Sequence, residues 1–147
     1  MIEIINESDF DRLFEIEQAA HLVPWSKGTL LNNQGDKYLN LKLTEQDQIV
    51  AFAICQTVLD EATLFNIAVD PSFQAKGYGK RLLSALIERL REQGISTLWL
   101  EVRESNLTAQ NYMTHSVLMK SLFVKLLSDT EWRKRKCRCD GTVFIND

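Results

Sequence analysis

Asn66-Ile67-Ala68-Val69-Asp70-Pro71, followed by Gln74-Ala75-Lys76-Gly77-Tyr78-Gly79-Lys80, is the stretch on which the reading of this chain turns. An apolar β-rich run ends at Val69, a loop with two glycines one residue apart follows, and a helical pattern begins at Tyr78. Glycine lets a backbone turn sharply and approach a ligand closely. The first amides of a helix point outward unpaired, and the helix dipole favours an anion there. Lys76, Lys80 and Arg81 add positive charge. Together these features suit a pyrophosphate cradle. A plain glycine turn before a helix is the alternative. The spacing is not that of a phosphate-binding loop ending in Gly-Lys-Ser/Thr, and it lacks the third glycine of a dinucleotide fingerprint.

Working outward, Leu82, Leu83, Leu86, Ile87 and Leu90 recur at helical spacing, and Gly94 is a natural stop. Residues 95–102 read as a strand with Leu98, Trp99 and Leu100 buried. Strand 62–69, helix 78–93 and strand 95–102 form a β-loop-α-β unit, which predicts parallel pairing. Upstream, residues 38–43 alternate, with Leu39, Leu41 and Leu43 on one face, and residues 49–58 are apolar and β-rich. These strands with short polar turns predict an antiparallel meander. Ile2, Ile4 and Ile5 suggest a first strand. Ser8 and Asp11 suggest a helix start, with the helix running to about Ala20, and Ser26 can cap a second, shorter helix. The fold class is α/β, or α+β with a mixed sheet, in a single domain over residues 1–147.

The chain is 147 residues long, 45% hydrophobic and 25% charged, and carries a net charge of −3. That argues against a disordered chain, a disulfide-stapled scaffold or a strongly basic nucleic-acid binder. No apolar run is long enough to span a bilayer, and the N-terminus lacks the pattern of a secretory signal. Cys55, alone in an apolar segment, reads as a reduced core thiol. A cytoplasmic protein with no membrane and no nucleic-acid partner is expected, and it is expected to be a monomer.

Gln-x-x-Gly-x-Gly after a strand resembles the acetyl-CoA loop of the GCN5-related N-acetyltransferase (GNAT) family. Residues 60–69, Asp-Glu-Ala-Thr-Leu-Phe-Asn-Ile-Ala-Val, and residues 97–106, Thr-Leu-Trp-Leu-Glu-Val-Arg-Glu-Ser-Asn, are similar to its bacterial RimI subgroup. So are Ala20-His21 and Pro24-Trp25-Ser26. Members of that subgroup acetylate the N-terminal alanine of a small-subunit ribosomal protein. The resemblance covers residues 1 to about 110 and implies the GNAT fold, a mixed central sheet flanked by helices. It also implies acetyl-CoA as co-substrate, a ribosomal protein N-terminus as acceptor, and no metal.

By the same resemblance the amine attacks the thioester directly and Glu101 is the general base. The alternative for Glu101 is a solvated strand glutamate. Ile67, Ala68 and Val69 would pair with the pantetheine arm, and a backbone amide there could stabilise the oxyanion. Gln74, Ala75, Lys76, Gly77, Tyr78, Gly79 and Lys80 would form the cofactor loop. Asn106 would contact the cofactor, cap a helix, or both. The family's proton donor to the leaving thiolate is a tyrosine seven residues after that asparagine. Met113 stands there in this chain, and the tyrosine is Tyr112, one place early. On a helix that shift turns a side chain by roughly 100°.

From about Asn111 the text changes. Residues 111–147 hold Arg133-Lys134-Arg135-Lys136 and Cys137-Arg138-Cys139 but none of the family's C-terminal motifs. A DNA string compatible with residues 111–124, read from its third base, encodes Leu-Tyr-Asp-Ser-Leu-Gly-Phe-Asn-Glu-Val, which is the family pattern. The tail therefore reads as a frameshifted translation of the family's C-terminus, with the last strands of the sheet altered or missing. The basic run solvates, and Cys-x-Cys alone lacks the remaining ligands of a metal site. Leu118, Leu122, Phe123, Val124, Leu126 and Leu127 could form an improvised amphipathic helix. On this reading the chain binds acetyl-CoA weakly and transfers poorly.

Overall fold

The structure, a computed structural model, describes residues 1–21, 24–101 and the strand 123–127. It contains one six-stranded sheet, with strands in chain order across it. β1 (Ile2–Ile4), β2 (Leu41–Glu45), β3 (Gln48–Val58) and β4 (Glu61–Val69) form an antiparallel meander. β5 (Thr97–Glu101) and β6 (Phe123–Leu127) continue it with parallel pairing. Helix α1 (Phe10–Ala20) is followed by α2 (Lys27–Asn32), and α3 (Tyr78–Glu92) links β4 to β5.

The tight turns explain the meander. Gln46 and Asp47, with φ of 53° and 62°, form the two-residue connection between β2 and β3. Two left-handed residues in a row match the twist of a hairpin. Helix α3 starts where Gly77 takes φ 77° and ends beside Gly94 at φ 83°. Past the helix end, the Gly94 and Ile95 amides donate to the Arg91 and Leu90 carbonyls at 3.0 Å. Ser26 caps α2 as expected, its hydroxyl accepting from the Thr29 amide. The start of α1 differs from the Ser8 expectation. Asn6 and Asp9 cap a short 3-10 turn reciprocally, and that turn leads into Phe10.

Each face of the sheet has its own core. Leu82, Leu83, Leu86, Ile87 and Leu90 of α3 pack on Leu39, Leu41, Leu43, Ala51, Ala53, Leu64, Ile67 and Val69. On the other face Phe10, Leu13 and Ile16 of α1 and Leu30 of α2 pack on Phe52, Ile54, Phe65 and Ala68. The register of β3 against β4 slips between Ile54–Asn66 and Cys55–Leu64, so Phe65 is an extra residue. This β-bulge breaks the alternation of β4. Leu64 and Ile67 face α3, and Phe65 and Ala68 face α1.

One expectation is corrected. Residues 123–127 form a strand on the outer edge of β5, not part of an amphipathic helix. The reason is physical: an open parallel edge presents a row of unpaired amides and carbonyls, and Phe123 and Val124 are strand formers.

Candidate functional site

Strand β4 pairs with β5 from Glu61–Thr97 to Leu64–Leu100 and with β3 as far as Val69, among the described residues. The bulge at Phe65 follows the last of the β4–β5 pairs. Beyond it, Ile67, Ala68 and Val69 have buried side chains. Glu101 is one residue past the last β4–β5 pair and lies opposite Leu127 of β6. Backbone position thus places Glu101 level with the bulge of β4.

The glycine loop stands at the far end of β4. Asp70 caps a 3-10 turn over Pro71–Phe73, its Oδ1 accepting from the Ser72 amide at 2.9 Å. Gln74 is turned inward, its Nε2 donating to the Val69 carbonyl at 3.2 Å. Ala75 follows at φ 65°, a left-handed position the sequence did not mark. Such a conformation is costly for a residue with a Cβ and persists only where neighbours hold it. Gly77 takes the second left-handed position, and no side chain caps α3. At such a helix start the first-turn amides, here those of Tyr78 and Gly79, point outward beyond the helix's own hydrogen bonds. Ala75, Lys76 and Lys80 are exposed, Tyr78 is half-buried and Gly79 is buried. The rings of Phe73 and Tyr78 meet at 6.4 Å across the base of the loop, and Lys76 Nζ lies 5.4 Å over the Phe73 ring. Arg81 is engaged elsewhere: its Nη1 donates to Glu45 at 3.2 Å and its guanidinium lies over the Tyr78 ring.

Beside the bulge lies a polar network that the sequence reading did not single out. Asn66, 1% exposed, donates from Nδ2 to Glu17 Oε1 at 2.7 Å. That bond fixes the orientation of the amide, so Oδ1 accepts from His21 Nε2 at 3.0 Å. Glu17 Oε2 accepts the Trp25 amide at 2.9 Å. Helix α1, the bulge in β4 and the loop before α2 are joined through one buried carboxyl. The signal was present in the sequence: Glu17 falls on the apolar stripe of α1 with Phe10, Leu13 and Ile16.

Cys55 is fully buried and its thiol is pushed up by that burial, as suits a core position. Asn106 and Tyr112 lie outside the described residues, as does Met113. No helix among the described residues is long and apolar enough to cross a membrane.

With this geometry in hand, the comparisons with known proteins are direct. The acetyltransferase (GNAT) family matches residues 4–116. The [ribosomal protein bS18]-alanine N-acetyltransferase of Haemophilus ducreyi is 79% identical over 110 residues, covering 75% of this chain and 76% of that one. The protein of the same name from Haemophilus influenzae is 68% identical over 106 residues, covering 72% and 73%. The crystal structure of the ribosomal-protein-S18-alanine N-acetyltransferase from Escherichia coli superimposes with a TM-score of 0.75 at 49% identity, covering 82% of this chain and 74% of that one. The chain belongs to the acetyltransferase (GNAT) family. It has that family's fold, and its class is N-acetyltransferase.

Proposed function

We propose that this chain transfers the acetyl group of acetyl-CoA to the N-terminal alanine amine of ribosomal protein bS18. The observation that carries the reading is that Glu101, at the end of β5, lies level with the bulge of β4, the strand that leads into the glycine loop. The family and the names of its relatives support the acceptor. Acetyl-CoA is the co-substrate. Its pantetheine arm pairs with Ile67, Ala68 and Val69, and its pyrophosphate rests on residues 74–80. The free amine attacks the thioester carbon while Glu101 takes its proton. A backbone amide of β4 stabilises the oxyanion. The C–S bond then breaks, and Tyr112 and Asn106 serve the leaving thiolate and the cofactor.

The tail qualifies this reading. The family match ends at residue 116, and about a quarter of the Haemophilus ducreyi relative and of this chain stays unmatched at 79% identity elsewhere. That supports a body of residues 1–110 followed by an atypical, frameshifted tail within one domain, and an activity below that of the relatives. The second reading it favours is an acetyl-CoA-binding module that transfers poorly.

The test incubates the full chain with acetyl-CoA and either an alanine-ended bS18 peptide or a polyamine, read by mass gain. Slow acetylation of the peptide, and none of the polyamine, is expected. Glu101→Gln should lower it by about 10²–10⁴-fold, the usual worth of a positioned base. Faster acetylation of the polyamine overturns the acceptor, and transfer at the Escherichia coli protein's rate overturns the impairment.

A further inference from the structure

The loop of residues 74–80 is anchored just upstream, at Asp70. Asp70 stands between the end of β4 and the turn that opens the loop, and its two carboxyl oxygens do different work. Oδ1 caps the turn through the Ser72 amide, and Oδ2 accepts Arg12 Nη2 of helix α1 at 2.5 Å. Arg12 is itself aligned, since its Nε donates to the Ile49 carbonyl of β3 at 3.0 Å. The Asp70 amide donates to the Val50 carbonyl at 2.8 Å, and its carbonyl accepts the Phe73 amide at 2.8 Å. Every polar group of Asp70 is thus tied, half of them to the turn and half to the sheet and α1. The pair is largely withdrawn from solvent, with side chains 25% and 14% exposed. The segment downstream needs such a hold. It contains two left-handed residues, Ala75 and Gly77, one of them carrying a Cβ, and it begins α3 without a side-chain cap.

We propose that Arg12 and Asp70 are a positioning pair: from helix α1 they hold the loop 74–80 in the shape that grips a coenzyme's diphosphate. Neither side chain needs to touch the ligand. A guanidinium suits the task because its planar fork satisfies a strand carbonyl and a carboxylate together, which an ammonium cannot do. Arg12 also lies five positions before Glu17, whose carboxyl holds the Trp25 amide and Asn66. One helix therefore makes contact with both the turn at the end of β4 and the residue beside its bulge.

This inference rests on the proposed role of residues 74–80, and the experiment separates the two. Binding of coenzyme A and of pantetheine, which lacks the nucleotide and diphosphate, is measured by calorimetry on the full chain. The wild-type chain should bind coenzyme A at least about tenfold more tightly, a difference of roughly 1.4 kcal/mol. If it shows no such preference, the diphosphate reading of the loop falls and the inference falls with it. Given the preference, Arg12→Met and Asp70→Asn should each lose most of it while pantetheine binding stays unchanged. Arg12→Lys, the milder change should Arg12→Met fail to fold, should lose part of it. Variants that keep the full preference overturn the positioning role. So do variants that weaken both ligands equally, because a merely structural role would not distinguish them.

Discussion

The two faces of the sheet are built on different principles. Under α3 the packing is almost wholly aliphatic, leucine on leucine against Ala51, Ala53 and Ile67. Under α1 the aromatic core of Phe10, Phe52 and Phe65 surrounds a buried polar network and is flanked by oriented ion pairs. Lys42 and Asp9 pair at 2.7 Å near the start of α1, and Arg12 and Asp70 pair further along it. Apolar burial is strong but non-directional, so it can hold α3 against the sheet without fixing any one loop. Hydrogen bonds with geometry do the fixing. The α3 face supplies stability, and the α1 face sets the position of the bulge and of the turn before the glycine loop.

That contrast can be broken most forcefully on the α3 face. Leu86→Ala removes a fully buried side chain from its centre. It should cost about 2–5 kcal/mol in denaturant unfolding, as large-to-small core changes do. A cost under 1 kcal/mol would mean the face is less tightly packed than the structure implies.

A smaller effect is expected on the other face. Asn66→Ala removes the amide that bridges Glu17 and His21, whose own contact at 3.4 Å remains. The loss should be about 1–3 kcal/mol, the penalty of an unsatisfied buried group. Its distinguishing mark should be a rise in hydrogen exchange at the Trp25 amide, which Leu86→Ala would not single out. Equal exchange in the two variants would erase the distinction between the faces.

The smallest effect is electrostatic. Burial raises the Asp70 pKa, but the Ser72 amide and the Arg12 guanidinium outweigh it and hold the carboxyl below its ordinary value of 3.8. A carboxyl with a depressed folded pKa contributes stability that is present above its unfolded pKa and lost as pH falls through the folded one. The stability gap between wild type and Asp70→Asn should therefore be level near neutrality and close only below 3.8. For a partly exposed pair it should be about 1 kcal/mol or less. A gap that closes between pH 5 and 7 would assign it to another group.

Much of this arrangement is legible in the chain. The leucine spacing from Leu82 to Leu90 marks α3, and Gly77 and Gly94 lie just outside its two ends. Leu39, Leu41 and Leu43 alternate and do share one face. The β-loop-α-β unit predicted the parallel pairing of β4 and β5. Other features were hidden for definite reasons. Residues 62–69 are so uniformly buried that no alternation remains to reveal the bulge at Phe65. Ala75 carries no mark of a left-handed residue, because alanine is not a residue that ordinarily signals that conformation. Arg12 looks like any polar residue of an amphipathic helix until β3 and Asp70 are brought beside it.

By itself, the sequence determined which segments become helix and strand, the place of the glycine loop and the family whose motifs they carry. Those features depend on local periodicity, turn chemistry and residue identity, all of which are written along the chain. Tertiary structure alone decided the bulge in β4, that Arg81 turns to Glu45, and that 123–127 adds a strand rather than a helix. Those outcomes depend on pairing partners distant in sequence, on a register slip between β3 and β4, and on a charge on α1 meeting one at the end of β4.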